Sequence, residues 1–134
     1  IRDPGIKGVV IKLSSNFSYT KLIEQNIIEV GAATLDRKVS EFAKNNDISQ
    51  MEFLSCIPGS IGGAIVMNSG CYGSNISKIL LSIKVIDETG REKEIGYIDL
   101  VFIIILGNGF AILIGEVKIC YSVIFFYNHH KFFE

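Results

Sequence analysis

The sequence has no surplus of either charge. Its 134 residues carry 13 lysines and arginines against 14 aspartates and glutamates, a formal net charge of −1. Without a basic excess there is no electrostatic footprint for nucleic acid or for acidic surfaces. Cysteine is scarce as well. Cys56, Cys71 and Cys120 make an odd count with no Cys-x-x-Cys or Cys/His spacing. That argues against a disulfide framework and against a zinc site, and it suits a reducing compartment, so the expected location is cytoplasmic. The two histidines, His129 and His130, are adjacent and have no carboxylate partner beside them, which reads as idle rather than metal-binding. No basic-then-apolar leader opens the chain. It begins Ile1-Arg2-Asp3-Pro4-Gly5, which reads like the loop after a strand, so the expectation is that the sequence starts inside something longer.

What the chain does have is glycine in one place. Six glycines or prolines fall in the 16 residues from Pro58 to Gly73, and none of those residues is charged. Glycine lets a chain turn through positive φ and lets a ligand approach the main chain with no Cβ in the way. Successive N–H groups in such a loop form a concave nest for anions, and a following helix adds its positive end. The residues alone leave two readings open: a cradle for a phosphate or diphosphate, and a tight turn with no ligand.

The rest of the first hundred residues reads as α+β, with helices packed on a mixed or mainly antiparallel sheet. Gly8–Leu13 is a short apolar run suited to a strand, and 26–31 is a second. Thr34 is the expected N-cap of a helix running to Asn46. Its stripe of Leu35, Val39, Phe42 and Ala43 faces the sheet, and Asp36, Arg37, Glu41 and Lys44 are left in solvent. A short helical turn leads into the glycine loop. Beyond it, 79–87 and 91–95 form a hairpin turned by Glu88-Thr89-Gly90. At this length a single small domain with a modest core is expected.

After Asp99 the character changes. Residues 1–99 hold 23 of the 27 charged residues and 100–134 hold four. The uncharged stretch 100–115 and the run Tyr121–Tyr127 show neither a helical stripe nor a clean alternation. Three readings compete. The tail completes the sheet as buried strands, or 100–115 lies in a membrane, or the tail translates A/T-rich DNA in an unselected frame. A stretch of 16 residues interrupted by Gly-Asn-Gly is short against the roughly 20 that a spanning helix needs, so a membrane is not an expected partner.

Ile57-Pro58-Gly59-Ser60-Ile61-Gly62-Gly63-Ala64, followed by Met67-Asn68-Ser69-Gly70-Cys71-Tyr72-Gly73-Ser74, closely resembles the diphosphate-binding loop of the UDP-N-acetylenolpyruvoylglucosamine reductase (UDP-N-acetylmuramate dehydrogenase) family. These are flavoproteins of bacterial cell-wall synthesis within the FAD-binding superfamily of the vanillyl-alcohol oxidase type. The resemblance covers about residues 1–95, which it marks as a partial FAD-binding domain, with 96–134 as a divergent tail and frameshift as its suggested origin. It implies FAD as cofactor, NADPH as hydride donor, a UDP-sugar enolpyruvyl ether as substrate and UDP-N-acetylmuramate as product. In such a reaction hydride passes from NADPH to the flavin and on to the enolpyruvyl double bond, while the protein positions the cofactor.

Residue by residue, the resemblance places FAD contacts at Ile57, Pro58, Gly59, Ser60, Ile61, Gly62 and Gly63, with Ser55, Ala64 and Asn68 as second contacts. Main-chain N–H groups from Ile57 to Gly63 and the Ser60 hydroxyl would wrap the diphosphate, and Ile57 and Ile61 would floor the site. Tyr72 is expected either to stack or to fill core, and Met67 to be core. No catalytic residue transfers. The family's Tyr-Arg-x-Ser motif has no counterpart after the hairpin, Ser122 lacks the surroundings of the family's serine donor, and Glu116 and Glu134 have no motif around them. Also missing is the family's second glycine loop, Gly-x-Gly-Ser-Asn, upstream of Ile1. The expectation is a fragment that binds FAD poorly and catalyses nothing alone. The alternatives are a subunit that completes a split enzyme with separately encoded pieces, and a membrane-tethered domain.

Overall fold

The computed structural model describes residues 11–87, 89–96 and 119–126. Five strands make one antiparallel sheet in the order β1-β2-β7-β5-β6. They are β1 (Thr20–Glu24), β2 (Ile27–Gly31), β5 (Leu80–Ile86), β6 (Glu92–Gly96) and β7 (Ile119–Phe126). A two-stranded ribbon of β3 (Gly70–Cys71) and β4 (Ser74–Asn75) stands apart. Helix α1 spans Asp36–Asn45 and α2 spans Ile61–Val66, with a 3-10 turn at Glu52–Cys56 between them.

Alternation along the strands produces the core. Ile28 and Val30 of β2, Val123 and Phe125 of β7, and Ile83 and Val85 of β5 are all fully buried. Against them pack Val39 and Ala43 of α1, Ile61, Ala64 and Ile65 of α2, and Phe53 and Leu54 of the 3-10 turn. Both helices therefore cover one face of the sheet, and the glycine loop is held at the edge of that layer.

The opposite face is polar. Oε1 of Glu29 accepts hydrogen bonds from Tyr19 Oη (3.0 Å), Ser122 Oγ (2.9 Å) and Lys84 Nζ (3.2 Å). Burial pushes the Glu29 carboxyl up, but those donors, Ser122 and Tyr19 foremost, outweigh it and hold the acid below its ordinary range. Burial raises the Tyr19 phenol.

Several expectations change. Of the 8–13 run, 8–10 lie outside the described residues and 11–13 form no strand; the sheet instead gains β1, which pairs with β2. Thr34 does not cap α1. Its hydroxyl donates to the carbonyl of Tyr19 at 3.0 Å and accepts from the N–H of Tyr19 at 2.9 Å, tying the two connections together. Leu35 takes the N-cap position and is 47% exposed, outside the core stripe. Asp36, expected in solvent, is buried. In the tail, 119–126 supplies the central strand, hydrogen-bonded to β2 on one side and β5 on the other. The stretch 100–115 and the histidine pair lie outside the described residues. No described helix is long and apolar enough to cross a membrane.

Candidate functional site

The glycine loop is clamped to the turn between β2 and α1. The N–H of Asp36 donates to the carbonyl of Gly59 at 3.1 Å, and that of Ile61 to the carbonyl of Thr34 at 2.9 Å. These two bonds flank an antiparallel bridge between Leu35 and Ser60. One residue further on, the N–H of Gly62 donates to the carbonyl of Ala32 at 2.9 Å. The approach at Gly62 is tight, because a Cβ there would fall 3.1 Å from the Ala32 oxygen and press on the backbone that holds the loop.

These clamps sort the donors expected from the sequence. Pro58 has no N–H. The N–H groups of Ile57, Ile61 and Gly62 are spent on Leu54, Thr34 and Ala32. Among the described residues, the N–H groups of Gly59, Ser60 and Gly63 take no main-chain acceptor. The Ser60 side chain makes no cap bond to α2. A Cβ at Gly63 would meet only Ser60 Oγ, at 3.8 Å, so this side of the loop is open.

The other expected contacts scatter. Ile61 and Ala64 point into the core, where they seat the loop from beneath. Ile57 is half-buried against that core. The Ser55 hydroxyl donates to the carbonyl of Glu52 at 2.7 Å. Asn68 has φ 43°, and its Oδ1 accepts from the N–H of Ser77 at 3.0 Å, so it braces the segment after α2. Met67 is 75% exposed and Tyr72 89% exposed, so neither fills core. With Gly63 and Val66, Met67 continues the solvent-facing side of α2. A cleft of about 430 Å³ runs from Leu35 and Arg37 along Cys56–Gly59. A larger hollow of about 610 Å³ between α1 and the 3-10 turn does not reach the free amides. Cys56 and Cys71 are free thiols. No metal-like cluster of His, Cys, Asp or Glu occurs among the described residues.

Asp36 is the residue that sequence reasoning misplaced. It is 1% exposed, and neither carboxyl oxygen has a hydrogen-bond partner. Burial pushes its carboxyl up to about 6. No local signal marks this. An acid in the first turn of a helix is ordinary, and the cover over it comes from a loop more than twenty residues downstream.

A loop with three unspent amides and no charged side chain suits a phosphate group. The FAD binding domain family matches residues 2–96. The chain belongs to this FAD-binding domain family. Over 91 residues it is 47% identical to the UDP-N-acetylenolpyruvoylglucosamine reductase of Pelagibacter ubique and 49% identical to that of Rickettsia akari. Each alignment covers 68% of this chain and 30% of the relative. The chain thus spans about a third of the length of the curated relatives it matches. The crystal structure of UDP-N-acetylenolpyruvylglucosamine reductase from Thermus caldophilus superimposes with a TM-score of 0.70 at 26% identity. That match covers 89% of this chain and 41% of the other. The family's cofactor is FAD, and the loop geometry fits its diphosphate.

Proposed function

We propose that this chain forms one wall of the FAD site of an NADPH-dependent UDP-N-acetylenolpyruvoylglucosamine reductase acting in the cytoplasm on a UDP-sugar enolpyruvyl ether. The observation that carries the reading is the set of unspent N–H groups at Gly59, Ser60 and Gly63, on the segment that resembles that family's diphosphate loop. In this reading those amides and the Ser60 hydroxyl hold the diphosphate, and Ile57, Pro58, Val66 and Met67 shield it. Ile61, Gly62 and Ala64 fix the loop from below, and Ser55 and Asn68 brace its two ends. When bound, FAD supplies hydride transfer. The chain's own residues bind and orient it.

Three amides are few for a dinucleotide. Charge-assisted hydrogen bonds contribute roughly 1.5–3 kcal/mol each, so the 134-residue chain alone should bind FAD weakly and reduce no substrate. Titrating FAD into the purified chain while following flavin fluorescence tests this, beside an NADPH oxidation assay with the UDP-sugar substrate. Stoichiometric yellow flavin carried through purification would overturn the weak-binding expectation. Failure of FAD to compete with pyrophosphate for the loop would overturn the site itself.

A second reading is a non-catalytic FAD-binding subunit that completes a split enzyme with separately encoded pieces. The central place of β7 favours it, since the tail is then part of the fold. NADPH oxidation that appears only on mixing with the remaining pieces would support it.

A further inference from the structure

We propose that Asp36 is a protonation-controlled latch on the glycine loop: with the carboxyl neutral, Pro58–Ser60 lies closed over it, and with the carboxyl ionised the loop lifts and admits water. The closed state strands both oxygens of Asp36 without a hydrogen-bond partner. An ionised carboxylate there loses its hydration and gains no donor in return. Such a group either takes up a proton or regains water.

The cover is thin. Pro58 and Gly59 are themselves exposed, and a Cβ built at Gly59 would lie 3.4 Å from Asp36 Oδ2. On this side the backbone at Gly59 lies between the carboxyl and solvent. Among the described residues no charged side chain offsets its ionisation. The turn 31–35 and the loop 57–61 carry none. On α1, Arg37, Lys38 and Glu41 are exposed, with Arg37 paired to Glu41 at 3.7 Å, and Glu52 on the 3-10 turn is exposed. Burial alone moves the group, to about 6.

Lifting the loop breaks two bonds, Asp36 N–H to Gly59 and Ile61 N–H to Thr34, while the Gly62 bond to Ala32 remains as the anchor. Because Gly59 and Ser60 also carry unspent amides, closing the latch presents them, and diphosphate affinity rises as pH falls. That consequence rests on the FAD reading. The loop movement does not, and measuring it without ligand separates the two.

The test is amide hydrogen exchange by NMR on the 134-residue chain, with each rate divided by the intrinsic rate at that pH. Between about pH 5 and about pH 7.5, protection at Ile61 should fall roughly tenfold, the change expected for a carboxyl shifted by about two units. Protection at Gly62 should change less. Asp36→Asn should abolish the dependence at Ile61. Constant protection in the wild type, or the same fall in the variant, would overturn the latch. If the variant does not fold, the carboxyl carbon shift of Asp36 in the wild type decides. A midpoint near 6 that tracks the loss of protection supports the latch, and a midpoint near 4 overturns it.

Discussion

Asp36 meets Gly59 in two opposed ways at once. The main chain of Asp36 donates to the Gly59 carbonyl at 3.1 Å, while its carboxyl is shut beneath the same residue with no donor of its own. The backbone bond keeps the loop down and the orphaned carboxyl works against it.

This opposition makes stability depend on pH. Asp36 titrates near 6 in the folded chain, against about 3.9 when unfolded. Between those values the folded state binds the proton and the unfolded state does not, so stability falls as pH rises through that window and levels above it. The full penalty is at most about 3 kcal/mol. Urea unfolding of wild type and Asp36→Asn at about pH 4.5 and about pH 7.5 checks this. The wild type should lose stability across the interval relative to the variant.

Gly62 and Gly63 should separate folding from binding. Alanine at Gly62 would press on the Ala32 oxygen and Cβ at 3.1 and 3.2 Å and should cost roughly 1–3 kcal/mol. Alanine at Gly63 meets only Ser60 Oγ at 3.8 Å, and helix propensity should favour it by up to about 1 kcal/mol. Thermal denaturation should place the two variants on opposite sides of wild type. In the assembled flavin site, Gly63→Ala should nevertheless weaken FAD, because its methyl group crowds the open side of the loop.

Phe125 tests whether the tail belongs to the fold. It is fully buried in the central strand, between β2 and β5. Phe125→Ala should destabilise the chain by roughly 3–5 kcal/mol, a loss readable in the urea midpoint. No change would mean that β7 does not pack as described.

Asp87 organises the turn between β5 and β6. It accepts from the Thr89 hydroxyl (2.6 Å), Lys93 Nζ (2.9 Å), and the N–H groups of Arg91 (3.0 Å) and Thr89 (2.9 Å). The Thr89 hydroxyl first, then Lys93 and the Arg91 amide, hold its carboxyl far below the ordinary range. Its folded pKa is depressed, so its stabilisation is complete above the unfolded value near 3.9 and is lost as pH falls toward the folded one. Asp87→Ala should lower the melting temperature at neutral pH, and the gap from wild type should narrow in strong acid.

Much of this protein is local and was therefore legible in the order of its residues. Helix α1, the 3-10 turn, the β5–β6 hairpin and the uncharged glycine loop each rest on periodicity or turn chemistry within a few residues of themselves. The family resemblance rests on the same loop. What needed the tertiary structure was every question of which distant segment covers which. Thr34 has the chemistry of a cap, but Tyr19 claims its hydroxyl. Residues 119–126 show no clean alternation, yet between β2 and β5 Val123 and Phe125 enter the core while Ser122 bonds Glu29 on the polar face. The loop from Ile57 to Gly63 has six N–H groups by composition; Leu54 takes one, docking on 32–36 takes two, and Gly59, Ser60 and Gly63 are left unspent. Hydrogen bonds and burial between segments far apart in the chain depend on their packing, and packing decides whether an aspartate like Asp36 meets water or the underside of a glycine.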